Sequence, residues 1–366
     1  MTSSSLATDL PATPTAPPAE TEYHFTFRGN GADLFSVYIL NVLKTILTVG
    51  MYYFWGRVKI RQYIWGQTEV AGDRFGYHGT GRELLIGWLK AMLAFGSLLA
   101  AQMALDLSVP MLGTLILWLG LVCLWPLAKI GSLRYRLSRT SWRGIRFSFR
   151  GDIKPFLLLS VPGLLLSFPT LGLYTPFYEC AIRRYFLEHS RLGNIAFGFE
   201  GSPKKLLRIY LVRGIVAIVG VGGLLGLTLY TSTGGGVYVA GFGPINGVLW
   251  IITDIGLCVL VVLSLLSLVV RRRRFFWDHT TFGPAHFRST VSMGNLAALY
   301  AGNVGLLLVT LGLGSPWVTV RSRQYDCAHL TLTGTLDLEH IQQDALEATA
   351  TGEELGGLLD VDVMAG

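Results

Sequence analysis

Seven apolar runs divide the chain, at about 33–55, 84–105, 111–131, 155–178, 207–230, 246–270 and 294–318, each ended by charged or turn-forming residues. Runs of roughly 20 residues suit a bilayer core about 30 Å thick. They lack the strict alternation of barrel strands, and backbone immersed in lipid must satisfy its own hydrogen bonds, so the pattern predicts helices. The expected fold class is an all-α integral membrane protein with about seven hydrophobic helices.

Between these runs the period changes. His24-Phe25-Thr26-Phe27-Arg28-Gly29 returns as Arg74-Phe75-Gly76-Tyr77-His78-Gly79, Arg146-Phe147-Ser148-Phe149-Arg150-Gly151 and Ala196-Phe197-Gly198-Phe199-Glu200-Gly201. Degenerate versions stand at Ala285-His286-Phe287-Arg288 and Leu330-Thr331-Leu332-Thr333-Gly334. Alternating aromatic and polar residues closed by Gly describe a short strand with one apolar face, then a turn. Small β-hairpins at the membrane surface are expected.

A second block precedes three of these: Thr48-Val49-Gly50-Met51-Tyr52-Tyr53-Phe54-Trp55, Thr170-Leu171-Gly172-Leu173-Tyr174-Thr175-Pro176-Phe177 and Thr310-Leu311-Gly312-Leu313-Gly314-Ser315-Pro316-Trp317. Gly and Pro there predict a break or bend near the end of each apolar run, with the aromatic cluster at the interface. Basic stretches follow, containing Arg61-Gln62-Tyr63, Arg184-Tyr185 and Arg323-Gln324-Tyr325. Gly29 to Gly79 and Gly151 to Gly201 are both 50 residues apart. The chain therefore reads as three repeat units, near 23–85, 146–208 and 286–336, joined by helical hairpins at 84–131 and 207–270.

Composition agrees: 51% hydrophobic and 14% charged, with mean hydropathy +0.48, is too apolar for an ordinary soluble domain of 366 residues. Residues 1–22 are rich in Ser, Thr, Pro and Ala and read as a disordered tail; 341–366 carry acids but no base and read as an acidic, mobile tail. The membrane domain, 23–340, then holds all 30 basic residues against 14 of the 23 acids, a formal +16. Acidic partners follow, and at a membrane the nearest are anionic lipid headgroups. No nucleic-acid recognition fold accompanies the charge.

In combination, Phe27-Arg28-Gly29, Asn41 with Thr48, Gly50, Tyr52 and Trp55, then Phe75-x-Tyr77-x-Gly79-Thr80-Gly81 with Glu83-Leu84-Leu85, and Thr170-Leu171-Gly172-Leu173-Tyr174 resemble the YjgN-like family of bacterial inner-membrane proteins. The resemblance covers roughly 23–335 and implies a multi-pass protein of the bacterial inner membrane, without supplying an activity or catalytic residues. The third unit departs from it, with Gly314 where the others have Tyr52 and Tyr174.

The connections at 106–111 and 231–245 contain no Lys or Arg, whereas the others, such as 134–154, 183–213 and 271–288, are basic. The positive-inside rule puts the two bare loops outside the cytoplasm. If 33–55, 155–178 and 294–318 spanned fully, basic connections would fall on both sides; if they re-enter, all become cytoplasmic. Re-entry satisfies the rule and is the arrangement expected here.

Candidate site residues are few. Asn41, Lys44 and Thr48 share one helical face at membrane depth, which suits ion or anion passage, with snorkelling of Lys44 as the competing reading. Asp254 could relay protons or simply reach water near the outer loop. Arg271-Arg272-Arg273-Arg274, followed by Phe275-Phe276-Trp277, suits anionic headgroups or a stop-transfer anchor. The repeat-motif residues Gly29, Gly50, Tyr52, Trp55, Gly79, Gly151, Gly172, Tyr174, Pro176, Gly201, Gly312 and Pro316 are expected to be structural. The four cysteines form no CxxC pair and the histidines show no ligand spacing, so no metal or cofactor is expected. Without a catalytic motif, the expected function is small-solute or ion transport, with a membrane scaffold binding anionic lipid or a partner protein as the alternative; a homo-oligomer fits either.

Overall fold

The computed structural model describes residues 21–109, 111–232, 238–239, 243–244 and 246–335; both tails, and most of the connection at 231–245, lie outside these described residues. The chain opens with strand β1 (Thr21–Phe27), helices α1 (Gly31–Leu47) and α2 (Tyr53–Gly66), and strands β2 (Thr68–Val70) and β3 (Asp73–Tyr77). Helices α3 (Gly81–Ser108) and α4 (Leu112–Ser138) lead to β4 (Thr140–Trp142) and β5 (Ile145–Phe149). After α5 (Ile153–Ser167) and α6 (Thr175–Glu188) come β6 (Ser190–Leu192) and β7 (Ile195–Phe199). Next are α7 (Pro203–Ser232), a small ribbon of β8 (Tyr238–Val239) and β9 (Gly243–Pro244), and α8 (Asn246–Asp278). The chain continues with β10 (Thr280–Phe282), β11 (Ala285–Ser289), α9 (Met293–Val309), α10 (Ser315–Ala328) and β12 (Leu330–Gly334).

The expectation of an all-α protein carrying isolated β-hairpins is overturned. All strands except the β8–β9 ribbon join in one closed antiparallel barrel, ordered β1-β12-β11-β10-β7-β6-β5-β4-β3-β2. Closure comes from the two ends of the described chain, with Thr21 opposite Gly334 and His24 opposite Thr331. The apolar face read from each aromatic-x-aromatic block is the barrel interior, where Val70, Trp142, Leu192, Phe282, Phe287 and Leu332 form one packed cluster. A barrel leaves no unpaired edge, which removes the aggregation hazard of short exposed hairpins.

The order strand, helix, helix, strand occurs five times around this barrel, and each helical pair returns to the strand beside the one it left. Backbone hydrogen bonds tie the feet of all five pairs: Arg28 N–H donates to Gln67 O at 2.9 Å, His78 to Arg139 at 2.7 Å, and Arg150 to His189, Glu200 to His279 and Thr290 to His329 at 2.9 Å each. The helices thus rise from one rim. Opposite them lie tight two-residue turns such as Ala71-Gly72 and Arg143-Gly144, both residues at positive φ as a type I′ hairpin requires.

Two sequence blocks acquire physical reasons. In aromatic-x-Gly, the aromatic ring folds back over its own glycine: a Cβ at Gly29 would strike Phe27, at Gly151 Phe149, and at Gly201 Phe199. In Thr-x-Gly, the chain reverses through two left-handed residues, Val49 and Gly50, Leu171 and Gly172, or Leu311 and Gly312. The Thr hydroxyl donates back to the carbonyl four residues earlier and accepts from the amide four residues later, at 2.7 and 2.9 Å for Thr48. Thr170 and Thr310 repeat this geometry. The expected bend is therefore a full reversal, so each of three apolar runs is divided between two helices.

Four helical segments, Gly81–Ser108, Leu112–Ser138, Pro203–Gly223 and Asp254–Asp278, are long and apolar enough to cross a membrane. The α5 and α9 helices are apolar but shorter.

Candidate functional site

A cavity of 820 Å³ lies between the barrel and the helices, and all five hairpins' returning helices contribute to it. Its floor is aromatic. The first aromatic of each strand block faces it, giving Phe25, Phe75, Phe147, Phe197 and Phe287. Neighbouring ring centroids stand 6.2 Å apart for Phe25 and Phe287, and 6.3 Å for Phe75 with Phe147 and Phe147 with Phe197. Beneath them the lumen is filled by the packed cluster, so the chamber is closed on the barrel side.

Above the floor comes a tier of hydroxyls, Thr68, Thr140, Ser190 and Thr280. Each donates to the carbonyl four residues earlier, at 2.6 to 2.9 Å, ending its helix. Their protons are committed to the fold.

The next tier is cationic. Arg57, Arg61, Arg136, Arg183, Arg273 and Arg323 line the chamber, with Asp326 as the acid among its lining residues. Four of these arginines hold one position in their hairpins: Arg61, Arg183, Arg273 and Arg323 each stand two residues before an aromatic, Tyr63, Tyr185, Phe275 and Tyr325. Those aromatics anchor the helix foot. Tyr63 donates its hydroxyl proton to Asn30 O at 2.9 Å, and Tyr185 donates to Asp152 O at 2.6 Å; Phe275 packs in an apolar cluster with Phe199 and Phe276. The residue between reaches the following hairpin: Arg134 donates to Gly151 O at 2.9 Å, Arg184 to Gly201 O at 3.3 Å, and Gln324 to Gly29 O at 3.4 Å. In α4 the position belongs to Leu133, and Arg136 supplies the cation one turn later.

Arg273 is paired with Asp326 at 3.1 Å. Burial raises the Asp326 carboxyl above the usual range, opposed by the nearby charge of Arg273 and then Arg323. Arg183 is different. Its guanidinium lies against Phe276 and Trp277, 5.7 and 5.5 Å from the ring centroids, and its Nε is shielded from solvent without a hydrogen-bond partner. Burial and the charge of Arg272 push it down to about 10. Higher walls are mixed: Tyr38, Asn41, Val42, Thr45 and Ile46 of α1 face Tyr53 of α2.

The structure separates the residues that the sequence grouped. Asn41 is buried in the chamber wall, where its amide donates to Gly56 O at 3.2 Å and ties α1 to α2. Lys44 is exposed, with its ammonium 5.3 Å from the Tyr52 ring, which also receives Lys59 at 5.7 Å. Thr48 builds the reversal. Asp254 sits on α8, 19 residues before Arg273 and about 28 Å away along the helix, with a buried carboxylate oxygen lacking a partner among the described residues.

Of the arginine run, Arg272 pairs with Glu179 at 3.1 Å, Arg273 enters the chamber, and Arg274 donates to Val291 O. Arg271 and Arg274 also line a second groove, of 630 Å³, between α7, α8 and the start of α9. Trp55 packs over Gly81, where a Cβ would meet its ring, and Pro176 and Pro316 are buried in the first turns of α6 and α10. Among the described residues no cluster of three metal-ligating side chains occurs.

Sequence reasoning missed the arginine tier because each member sits in a different hairpin. The signal was present. Aligning the hairpins on the foot aromatic puts Arg61, Arg183, Arg273 and Arg323 in register.

A family model described as a bacterial protein of unknown function, DUF898, matches residues 22–358. The inner membrane protein YjgN of Escherichia coli (strain K12) is 34% identical over 134 residues, covering 37% of this chain and 33% of that protein. Its namesake in Salmonella typhimurium is 27% identical over 204 residues, covering 55% and 46%. The chain thus spans a third to under half the length of these curated relatives. No solved structure matches it.

Proposed function

The chain belongs to the DUF898 family of bacterial proteins of unknown function, and from that premise we propose that it is a multi-pass inner-membrane protein that binds an acidic ligand in the arginine-lined chamber. The observation that carries this reading is the chamber itself: among its described lining residues, arginines from all five returning helices converge above a floor of five phenylalanines. Such a vessel suits holding an anion. Through-passage would need a route past the aromatic floor and the filled lumen, so binding is favoured over conduction.

Membrane residence is supported by the names of the relatives and by the four long apolar helices. In this reading α3 with α4 and α7 with α8 cross the bilayer, while the three shorter pairs enter and return. Both feet of every pair meet at one rim, which favours re-entry, and the basic content of 134–154 and 271–288 favours a cytoplasmic barrel. The recurrence of strand, helix, helix, strand supports an internal repeat with five units rather than three.

The test is native mass spectrometry of the full chain purified in mild detergent, alongside Arg61→Gln/Arg136→Gln. An acidic molecule retained by the wild type and lost from the double variant is expected. Wild type that retains no acidic molecule, yet supports solute flux in proteoliposomes, would make transport the better reading.

A further inference from the structure

We infer that the second groove, between α7, α8 and the start of α9, is a binding site for one anionic phospholipid of the cytoplasmic leaflet, its phosphate held by Arg213 and Arg271 and an acyl chain laid along α8. The site is separate from the chamber. It rests on the membrane placement proposed above and not on the acidic ligand proposed there.

The groove encloses 630 Å³, within the range of about 300–1,000 Å³ usual for ligand pockets. One face of α8 forms its wall, with Leu260, Leu263, Ser264, Ser267, Val270 and Arg271 at the spacing of a helical stripe. Opposite stand Arg213 and Val216 of α7, and α9 begins beside them at Met293. The N-terminal end of a helix is partially positive, so α9 reinforces the cationic side of the groove.

Two cations here are uncommitted. Among the described residues, no hydrogen bond or ion pair is made by the side chain of Arg213 or of Arg271; the Arg213 backbone carbonyl alone is engaged, by Ser264. Arg274, by contrast, spends its Nε proton on Val291 O and borders the groove from that fixed position.

Depth explains why these two need a partner. The Ser264 hydroxyl donates to Arg213 O at 2.9 Å, so Arg213 stands level with Ser264, while Arg271 lies seven residues, about 10 Å, nearer the barrel. Around Arg213 the surface of α7 is exposed and apolar at Leu211, Val212, Ile215 and Val216. On α8 the exposed apolar surface runs down to Val269, and Arg271 follows it. The pair therefore marks the edge of the hydrocarbon, where headgroup phosphates lie. A guanidinium at that level is costly unless an anion compensates it. Both side chains line one groove, so a single phosphate between them can accept from both.

The path above the arginines selects a lipid over a free anion. From Val270 to Leu260 the stripe runs ten residues, about 15 Å, away from the barrel. Its two hydroxyls are spent, Ser264 on Arg213 O and Ser267 on Ser264 O at 2.7 Å. What remains open is apolar, Leu260 and Leu263 facing Val216, and an acyl chain can lie along it. The headgroup is selected by charge. The described lining residues include neither Asp nor Glu, so nothing there would receive the ammonium of a zwitterionic headgroup.

Binding is measured by native mass spectrometry of the full chain, exchanged into lipid-free mild detergent and titrated with phosphatidylglycerol, with phosphatidylethanolamine of the same acyl chains, and with inorganic phosphate as competitor. One phosphatidylglycerol should bind saturably, at least tenfold tighter than phosphatidylethanolamine, and resist displacement by phosphate. Arg213→Gln/Arg271→Gln should weaken it about 10- to 100-fold. Arg208→Gln, an exposed arginine of α7 outside the groove lining, should leave it unchanged. Thermal melts check folding, and the exposed Arg271→Gln alone repeats the test should the double variant fail to fold.

Equal binding of phosphatidylethanolamine would overturn the anionic assignment, and displacement by phosphate the lipid assignment. Unchanged affinity in a folded Arg213→Gln/Arg271→Gln variant would overturn the site. Phosphatidylglycerol lost from Arg61→Gln/Arg136→Gln instead would move the lipid to the chamber, overturning the groove while leaving the acidic ligand of the chamber standing.

Discussion

The re-entrant arrangement makes a positional prediction that can be worked from helix lengths. The α1 helix has 17 residues and α3 has 28, or about 25 and 42 Å at 1.5 Å per residue. A bilayer core is about 30 Å thick. The exposed apolar surface of α1 begins only at Ile39, ten residues before the turn residue Val49, so about 15 Å of the hairpin enters hydrocarbon, near half the thickness. The turn residues Val49, Leu171 and Leu311 are 93%, 94% and 92% exposed, so protein does not cover them. Single cysteines at these three positions are introduced after Cys123, Cys180, Cys258 and Cys327 are replaced by Ala. Cells are then treated with a membrane-impermeant maleimide before and after lysis. Thiols held in hydrocarbon do not ionise and react poorly. Val49→Cys, Leu171→Cys and Leu311→Cys should stay unlabelled in both conditions. Val109→Cys, between α3 and α4, should label on intact cells, and Arg146→Cys, on the barrel, only after lysis. Labelling of the Val49 variant on intact cells at the rate seen at Val109 would refute the reasoning, because the short pairs would then reach the far side.

Gly151→Ala should lower stability by about 1–3 kcal/mol, since the added methyl meets the buried Phe149 ring; a melt in detergent checks it, and an unchanged midpoint would count against the aromatic-over-glycine junction. Phe156→Ala, at a fully buried site against Tyr185 and Phe186, should cost about 3–5 kcal/mol in the same assay. Glu179 is raised above the usual carboxylate range by burial, against the opposing effects of Arg272 and the Tyr210 hydrogen bond. In the window between the usual and the raised value the folded state holds a proton that the unfolded state has lost, so stability falls as pH rises through it; Glu179→Gln should flatten that slope. Asp326→Asn removes the acid of the chamber lining and should tighten binding of an acidic ligand about tenfold at neutral pH, measured by calorimetry.

Local structure was legible because it depends on neighbours in sequence. Phe27-Arg28-Gly29 and its relatives announced strands ending at a turn, and Thr48-Val49-Gly50 announced a break, each set by contacts within a few residues. The barrel was not legible for the converse reason. Its strands are only three to seven residues long, and their pairing is decided across helical insertions: Phe75 faces Trp142, Phe147 faces Leu192, and Thr21 faces Gly334. No local pattern distinguishes a strand that stands alone in a hairpin from one that closes a ring.

The arginines show the same divide. Arg271 to Arg274 look alike in sequence, a basic end to an apolar helix, yet successive residues turn by about 100° around the axis and so meet different surroundings. Arg272 meets Glu179, Arg273 enters the chamber beside Asp326, and Arg274 reaches Val291 O. A reading by charge count assigns all four to lipid headgroups; helical geometry commits three of them to contacts within the protein. In four hairpins a chamber arginine stands two residues before the aromatic at the helix foot, whose ring fixes the helix's rotation against the barrel. Leu133 tests the rule from the other side: where α4 lacks the cation two residues before Tyr135, Arg136 lies a turn later on the same face and supplies it. What recurs around the five hairpins is thus a guanidinium lining the chamber rather than an arginine at one fixed position.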